Sequence, residues 1–445
     1  MKHILILGAG LSATSLINYL LENSQEYDWF VTLGDLNLQA AEKKLHSHPR
    51  SRAIQFDVTN SMDVKTAIEN MDLVISLLPA RFHDLVAAEC LNQGVSMATA
   101  SYVSPAIASM HEKLVEKGLV FLNELGVDPG IDHMSAMSVI DRIRLKKGKL
   151  TAFFSFTGGL IAPESDNNPW HYKFTWNPRN VVLAGQGVSQ FIRNGMYKYI
   201  PYHKLFDRVL EREVLDAGKF EVYPNRDSLK YRKVYGIEGI PTIFRGTMRR
   251  PGFCEAWNVF VQLGCTDDTY VIENSEKIRY REFINSFLRY DREKPVELKL
   301  ADYLGIDPDG EIMRKLTWLG VFSNELVGLK NATPAQILQQ LLEKKWSLDP
   351  GDKDMIVMQH EFEYELNKKS HKITSSMVFI GKNTVDTAMS VTVGTPLAIA
   401  SKLLLTGRIA AKGVVVPTTP ELYVPILEEL ESFGIHFVEM EEVLG

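Results

Sequence analysis

The stretch Ile4–Ala13, ILILGAGLSA, decides the fold. Ile4–Leu7 is an apolar run of strand length. Gly8-Ala9-Gly10-Leu11-Ser12-Ala13 follows at once and opens an apolar-periodic helix through Leu21. This is the GxGxxA form of the dinucleotide fingerprint. The first glycine allows a tight turn, the second lets a pyrophosphate approach the backbone, and the small Ala13 lets helix pack on strand. The helix N-terminus offers N–H groups and a partial positive charge to phosphate. The strand–turn–helix context gives weight to a motif that is weak alone. The expected cofactor contacts are therefore Gly8, Gly10, Leu11, Ser12 and Ala13.

Outward from that motif, strands and helices alternate. Trp29–Leu33 reads as a strand with Asp35 just past it. A carboxylate there suits the ribose hydroxyls of NAD and repels the extra phosphate of NADP. The competing reading makes Asp35 a cap for the helix starting near Leu38. Ala53–Phe56, Leu73–Leu77, Val95–Ala98 and Leu119–Leu122 read as further strands. Asp63–Glu69, Phe82–Leu91 and Pro105–Glu116 read as helices. Six such strands imply a doubly wound parallel sheet. Right-handed crossovers place the loops at Gly8, Asp35, Asp57, Leu78, Ala100 and Asn123 along one edge. On topology, Asp57-Val58 falls near an adenine and Leu78-Pro79 under the middle of the cofactor.

The pattern stops at Asn123–His133, NELGVDPGIDH, past the last strand's carboxyl end, where open parallel sheets bind ligands. Glu124, Asp128, Asp132 and His133 are polar groups at that edge, and Asp-Pro-Gly makes the bend. The expectation is that substrate meets cofactor here; the competing reading is an interdomain turn rich in cap residues. Thr99–Pro105 is a second loop at the edge. Ser104 as a helix N-cap explains itself, whereas Ser101 and Tyr102 ask for another role.

A chain of 445 residues suggests two or three domains. Hydrophobic content of 45% and charged content of 23% are those of a globular protein, and a net charge of -6 argues against nucleic acid. Three cysteines, odd in number and without metal-ligand spacing, suggest a reducing compartment with no disulfide framework, and no metal site is expected. The apolar start is too short for a signal peptide, and Thr384–Leu405 is interrupted by Asp386, Gly394, Pro396 and Lys402. The expectation is a cytoplasmic protein with no membrane span.

From Lys149 the period changes. Leu150–Thr157 reads as a strand and Gly158–Glu164 as a turn. Asn167–Trp176 is rich in aromatic residues, which line both small-molecule sites and ordinary cores; core is the stronger reading for most of them. Tyr223–Ser228 is a polar loop around Arg226, and Ile243–Met248 a strand carrying Arg245 and Thr247. Gly252–Leu263 has helical periodicity, and 278–346 looks largely helical with Thr333 capping Pro334–Lys345. Asp307–Gly310 lacks the other ligands of a calcium loop and reads as a turn. Met355–Glu363 and His371–Ile380 read as an antiparallel hairpin. Pro396–Leu405 and Pro420–Glu431 read as helices around a short strand Gly413–Val416, with a final segment Ile435–Glu439. The expected domains are 1–123, with 395–445 packing back on it; 124–277 with 351–394; and a helical insertion 278–350. Hinges are expected near Asn123 and Thr384–Thr395.

Over nearly its whole length the chain resembles the saccharopine dehydrogenase family, in particular its glutamate-forming branch. The blocks that carry the resemblance are Gly8–Ala13, Ala100–Pro105, Asn123–His133, Gly158–Glu164, Tyr223–Ser228, Phe244–Met248 with Gly252-Phe253, and Thr392–Pro417. The resemblance implies an α/β protein: an N-terminal Rossmann domain, a mixed α/β substrate and dimerisation domain, and a smaller helical part. It also implies a homodimer. The implied reaction is reversible, NAD- or NADP-dependent hydride transfer at the carbon–nitrogen bond joining glutamate to the 2-aminoadipate side chain. The family's substrate contacts fall on Ser101, Asp128 and Arg226, with Tyr102, Lys173, Trp176, Arg245 and Thr247 as neighbours. Asp128 and Tyr102 are the candidates for acid/base work. Two departures stand out. Thr157 takes the place of a cysteine common before the paired glycines, which rules out a catalytic thiol there. Gly34-Asp35-Leu36 stands where NADP-using relatives tend to carry a small residue and an arginine, which favours NAD.

Saccharopine carries three carboxylates and two amino groups, so Arg226 suits a carboxylate through two parallel hydrogen bonds and Asp128 an ammonium group. The competing substrate is an imine of the carboxynorspermidine or carboxyspermidine type, against which Arg226 and Arg245 weigh. A non-catalytic NAD-binding regulator is the alternative of another class, against which Ser101, Asp128 and Arg226 weigh.

Overall fold

The computed structural model describes residues 1–444. The described residues divide into two compact units: 1–150 with 364–371 and 379–444, and 151–363 with 372–378.

The first unit is built on strands β1 (Lys2–Leu7), β2 (Trp29–Asp35), β3 (Ser51–Gln55), β4 (Leu73–Ser76), β5 (Ser96–Thr99) and β6 (Val120–Leu122). Their order is β3-β2-β1-β4-β5-β6, and Gly413–Val415 adds a seventh strand beside β6. Every pairing is parallel. Parallel strands are covered on both faces, so they need unbroken apolar runs rather than alternation. Ile4–Leu7 and Leu73–Ile75 are such runs, with no exposed surface. The order reverses between β1 and β4, where such sheets bind ligands.

Two expected elements differ. Pro105–Glu116 is not one helix: it breaks into Pro105–Ala108 and His111–Glu116. At the break the Ser109 hydroxyl donates to the Ala106 carbonyl at 2.6 Å, competing with the helical ladder. The hinge expected at Thr384–Thr395 is instead largely helix, because Ala388–Leu405 starts well before Pro396 and carries it inside. Gly394 is there for close packing. A Cβ on it would lie 2.7 Å from the Leu16 amide nitrogen of the helix Thr14–Glu22. Ser390 adds a hydrogen bond from the Ser15 amide at 3.2 Å. Ala388–Leu405 is long and apolar enough to cross a membrane, and 67% of that window is buried within the protein.

The second sheet is built on β7 (Lys149–Ile161), β8 (Val188–Arg193), β9 (Met196–Pro201), β10 (Leu210–Glu213), β11 (Lys219–Pro224), β12 (Thr242–Arg249), β13 (Asp354–Leu366) and β14 (Lys369–Ile380). Their path is β10-β11-β12-β7-β13-β14, with β8 on β12 and β9 on β8. Gly158-Gly159 is not a turn. β7 runs through it, and a Cβ on Gly158 would stand 2.9 Å from Met248. Gly158 therefore serves the close approach of β7 and β12. Asn367 and Lys368 join β13 to β14 with φ of 53° and 64°, the backbone a two-residue hairpin requires. The aromatic stretch is mainly core: Trp170 and Tyr172 have no exposed surface, and Trp170 packs on Phe260 and Trp346. Between 278 and 346 lie the helices Tyr280–Asn285, Val296–Leu304, Glu311–Leu319 and Pro334–Trp346, and Thr333 and Gln336 close a reciprocal capping box.

Candidate functional site

The Gly8–Ala13 loop sits at the β1–β4 reversal. Gly8 has φ of 103°, and a Cβ there would stand 3.0 Å from the Leu77 carbonyl oxygen, so the turn tolerates only glycine. A Cβ on Gly10 would meet nothing within 4 Å; its face is open to a close backbone approach. Leu11–Ala13 forms a tight helical turn that continues into Thr14–Glu22, and Ala13 is buried beneath it. This open backbone at a helix N-terminus fits a pyrophosphate. Leu78, half-buried, and Pro79, exposed, follow β4.

Asp35 ends β2, half-buried. Its carboxylate accepts from the Ala9 amide at 2.7 Å and from the Asn37 amide at 2.8 Å. The helix after β2 is capped by Asn37, which accepts from Ala40 at 3.1 Å, so Asp35 is not the cap. It ties the strand end to the glycine loop and puts a negative charge on the rim. Asp57 turns inward locally, accepting from the Thr59 amide at 2.9 Å and hydroxyl at 2.7 Å. Those bonds hold its carboxyl below the usual carboxylate range. Val58 is buried beside it.

The stretch 123–133 separates its polar groups. Glu124, Asp132 and His133 are buried. Glu124 accepts from the Val103 amide at 3.0 Å and meets His133 Nε2 at 2.7 Å. Asp132 accepts from the Gly130 and His133 amides at 2.6 and 2.8 Å. These three hold the bend that starts the helix Ile131–Leu145. Asp128 alone of the four is half-exposed, and it accepts from the Tyr102 hydroxyl at 3.2 Å. Tyr102 is 41% exposed, so this hydroxyl–carboxylate pair is open to solvent.

The Thr99–Pro105 loop is held by the helix His83–Gln93. Asp84 accepts from the Ser104 hydroxyl, and Ser104 caps Ile107 at 3.0 Å. His83 Nε2 lies 2.7 Å from Ser101 Oγ, and its Nδ1 lies 2.8 Å from Ser76 Oγ. Sequence reasoning missed His83. Its only signal was its place at the start of the helix that follows β4.

In the second unit, Arg245, Thr247 and Arg249 alternate along β12 and so share one face of the sheet. Arg245 is buried with its guanidinium 3.9 Å from the Tyr231 ring. Thr247 stands in register with Tyr223 and Thr157. Arg249, also missed, is buried over the rings of Tyr172, Tyr223 and Phe253. Arg226 is exposed on a loop that three backbone bonds fix: Asn225 to Arg245 at 2.8 Å, Gln190 to Arg226 at 2.7 Å and Ser228 to Gln190 at 2.9 Å. Trp176 is 37% exposed.

Lys173 departs from the expected substrate set. Its buried ammonium donates to Asp349 at 2.7 Å and Asp352 at 2.6 Å. Burial opposes its charge, yet the bonds to the two carboxylates outweigh burial and raise its pKa. The cation is committed to holding 349–352 against the aromatic core. Among the described residues no cluster of His, Cys, Asp and Glu could hold a metal ion.

Two family models match the chain: the saccharopine dehydrogenase NADP binding domain over residues 4–122 and the saccharopine dehydrogenase C-terminal domain over 126–435. The saccharopine dehydrogenase [NADP(+), L-glutamate-forming] of Schizosaccharomyces pombe is 32% identical, with 99% of each chain covered. The Saccharomyces cerevisiae enzyme of the same name is also 32% identical, over 98% of this chain and 99% of its own. The mitochondrial alpha-aminoadipic semialdehyde synthase of Mus musculus is 34% identical; the chain spans 47% of its length. The solved structure of apo saccharopine dehydrogenase (L-Glu forming) from Saccharomyces cerevisiae matches with a TM-score of 0.89 at 31% identity, covering 100% of both chains.

Proposed function

The chain belongs to the saccharopine dehydrogenase family, and from that premise we propose that it is a glutamate-forming saccharopine dehydrogenase. It acts in lysine metabolism, on the CH–NH bond that joins glutamate to the aminoadipate side chain, releasing glutamate and 2-aminoadipate 6-semialdehyde or joining them. One observation carries the reading. Ser101 and the Tyr102–Asp128 pair stand at the carboxyl edge of the same parallel sheet as the Gly8–Ala13 loop, in a chain alike from end to end to enzymes of that name.

The nicotinamide, when bound, takes or gives the hydride. The protein's part is to hold and orient. Gly8, Gly10 and the turn Leu11–Ala13 hold the pyrophosphate. Asp128 holds an amino group of the substrate, and the Tyr102 hydroxyl bonded to it can pass a proton at that place. Arg226 takes a carboxylate with two parallel hydrogen bonds. Ser101, Trp176, Arg245 and Thr247 complete the proposed contacts; Lys173 is left out because its charge is already matched.

The finer proposal is NAD in preference to NADP, although the relatives' names specify NADP(+). Its support is Asp35, whose carboxylate is pinned beside the glycine loop where a ribose phosphate would be repelled. The test is initial rates at the absorbance of reduced nicotinamide, with saccharopine and either cofactor. A kcat/KM for NAD above that for NADP is expected. Equal or NADP-favoured turnover removes the cofactor preference and leaves the enzyme class. Turnover of carboxynorspermidine and not of saccharopine removes the substrate.

A further inference from the structure

We infer that His83 is a positioning residue for this reaction: it fixes the direction in which the Ser101 hydroxyl offers its hydrogen bond to the substrate. The inference rests on the functional reading above, in which Ser101 touches substrate.

The geometry is a row of three side chains. Ser76 Oγ, at the end of β4, lies 2.8 Å from His83 Nδ1, and His83 Nε2 lies 2.7 Å from Ser101 Oγ, just past β5. His83 is 3% exposed and Ser76 has no exposed surface. Burial pushes the imidazole pKa down to about 4, so the ring is neutral at ordinary pH. A neutral imidazole has one donor and one acceptor nitrogen. The two serines must therefore play opposite parts. If Ser76 donates to Nδ1, Nε2–H donates to Ser101 and the Ser101 proton turns toward the substrate. With the other tautomer, Ser101 donates inward and offers lone pairs. In both states the hydroxyl is no longer a free rotor. The row ends at Ser76 inside the sheet, so it orients and does not conduct protons onward.

The backbone of Ser101 is held separately. Its amide donates to Thr99 Oγ1 at 3.2 Å and its carbonyl accepts from the Glu124 amide at 3.0 Å. Ser104, farther along the loop, is gripped by Asp84. Replacing His83 thus releases the Ser101 hydroxyl while the loop stays in place, and this makes the role separable from a structural one.

The experiment uses the full chain and five variants: His83→Leu, His83→Asn, His83→Gln, Ser101→Ala and the double variant Ser101→Ala with His83→Leu. Binding of reduced nicotinamide cofactor, read by fluorescence, reports whether the unit has folded. His83→Leu should raise the KM for saccharopine about tenfold, the weight of one hydrogen bond, with cofactor affinity unchanged. His83→Asn, too short to reach Ser101, should match it. His83→Gln, which reaches Ser101 with an amide, should recover to within about threefold of the parent. The double variant should be no worse than Ser101→Ala. If the two losses multiply, or if His83→Leu and His83→Asn leave KM unchanged, the inference is overturned. If His83→Leu fails to bind cofactor, the comparison of His83→Asn with His83→Gln decides, and equal KM values for those two overturn it. Absence of saccharopine turnover by the parent chain overturns the functional reading itself, and an active parent with unaffected variants overturns only the role of His83.

Discussion

At the scale of single residues, the charged groups sort by whether their charge is already answered. Lys173 is held by two aspartates, so Lys173→Met should act on stability. Breaking a buried ion pair by removing one partner costs about 3–5 kcal/mol, and thermal unfolding should report that loss. Saccharopine KM in the protein that remains folded should not change. Arg226 is the opposite case: exposed, on a fixed loop. Arg226→Ala should raise the KM for saccharopine by about 10- to 100-fold, for one or two charge-assisted hydrogen bonds, with the melting temperature unchanged. Unchanged KM and kcat would remove the carboxylate clamp. Asp35→Ser should shift the ratio of NAD to NADP efficiency toward NADP by about tenfold or more, by removing a like charge next to the ribose phosphate. His83 gives a pH dependence. Its pKa is about 4 in the fold against an ordinary 6.5, so below 6.5 the unfolded chain binds a proton that the folded chain refuses. Stability therefore falls as pH drops from 6.5 toward 4, by about 3 kcal/mol over the window. His83→Gln should flatten that slope in denaturant titrations at stepped pH.

At the scale of elements, the sequence was most legible where one physical demand dominates. The β1–Gly8–Ala13–helix unit reads directly, because buried parallel strands need apolar runs and the turn needs glycine. Asn123–His133 was legible as a special stretch but not in its parts. Four polar groups look alike in sequence, and only packing shows that Glu124, Asp132 and His133 hold the bend while Asp128 meets solvent. Glycines show the limit of local reading. Gly158-Gly159 looks like a turn and Gly394 like an interruption of an apolar run within a hinge, yet Gly158 lets β12 approach β7 and Gly394 lets two helices approach. Gly394→Val is expected to disrupt the packing of Ala388–Leu405 on Thr14–Glu22 and destabilise the first unit by about 1–3 kcal/mol. A thermal midpoint unchanged from the parent would contradict that packing argument. His83 was illegible for a different reason: its partners Ser76 and Ser101 come from two other strand ends, and a single sequence carries no trace of that meeting.

At the scale of the whole molecule, the doubly wound sheet was legible from the alternation of strands and helices through Leu122, and a second sheet from the change of period near Lys149 and the hairpin 355–380. The seventh strand of the first sheet, Gly413–Val415, comes from the far end of the chain. Local patterning marks it as a strand, and only the fold gives it a neighbour. What the whole chain does follows from its family and from the polar groups at one sheet edge. The measurement that tests this most directly is a stoichiometry: saccharopine is oxidised by the purified chain, and glutamate and reduced nicotinamide are counted in the same reaction. One glutamate is expected for each nicotinamide reduced. Lysine and 2-oxoglutarate in place of glutamate would mean cleavage on the other side of the secondary amine, and would contradict the proposed function.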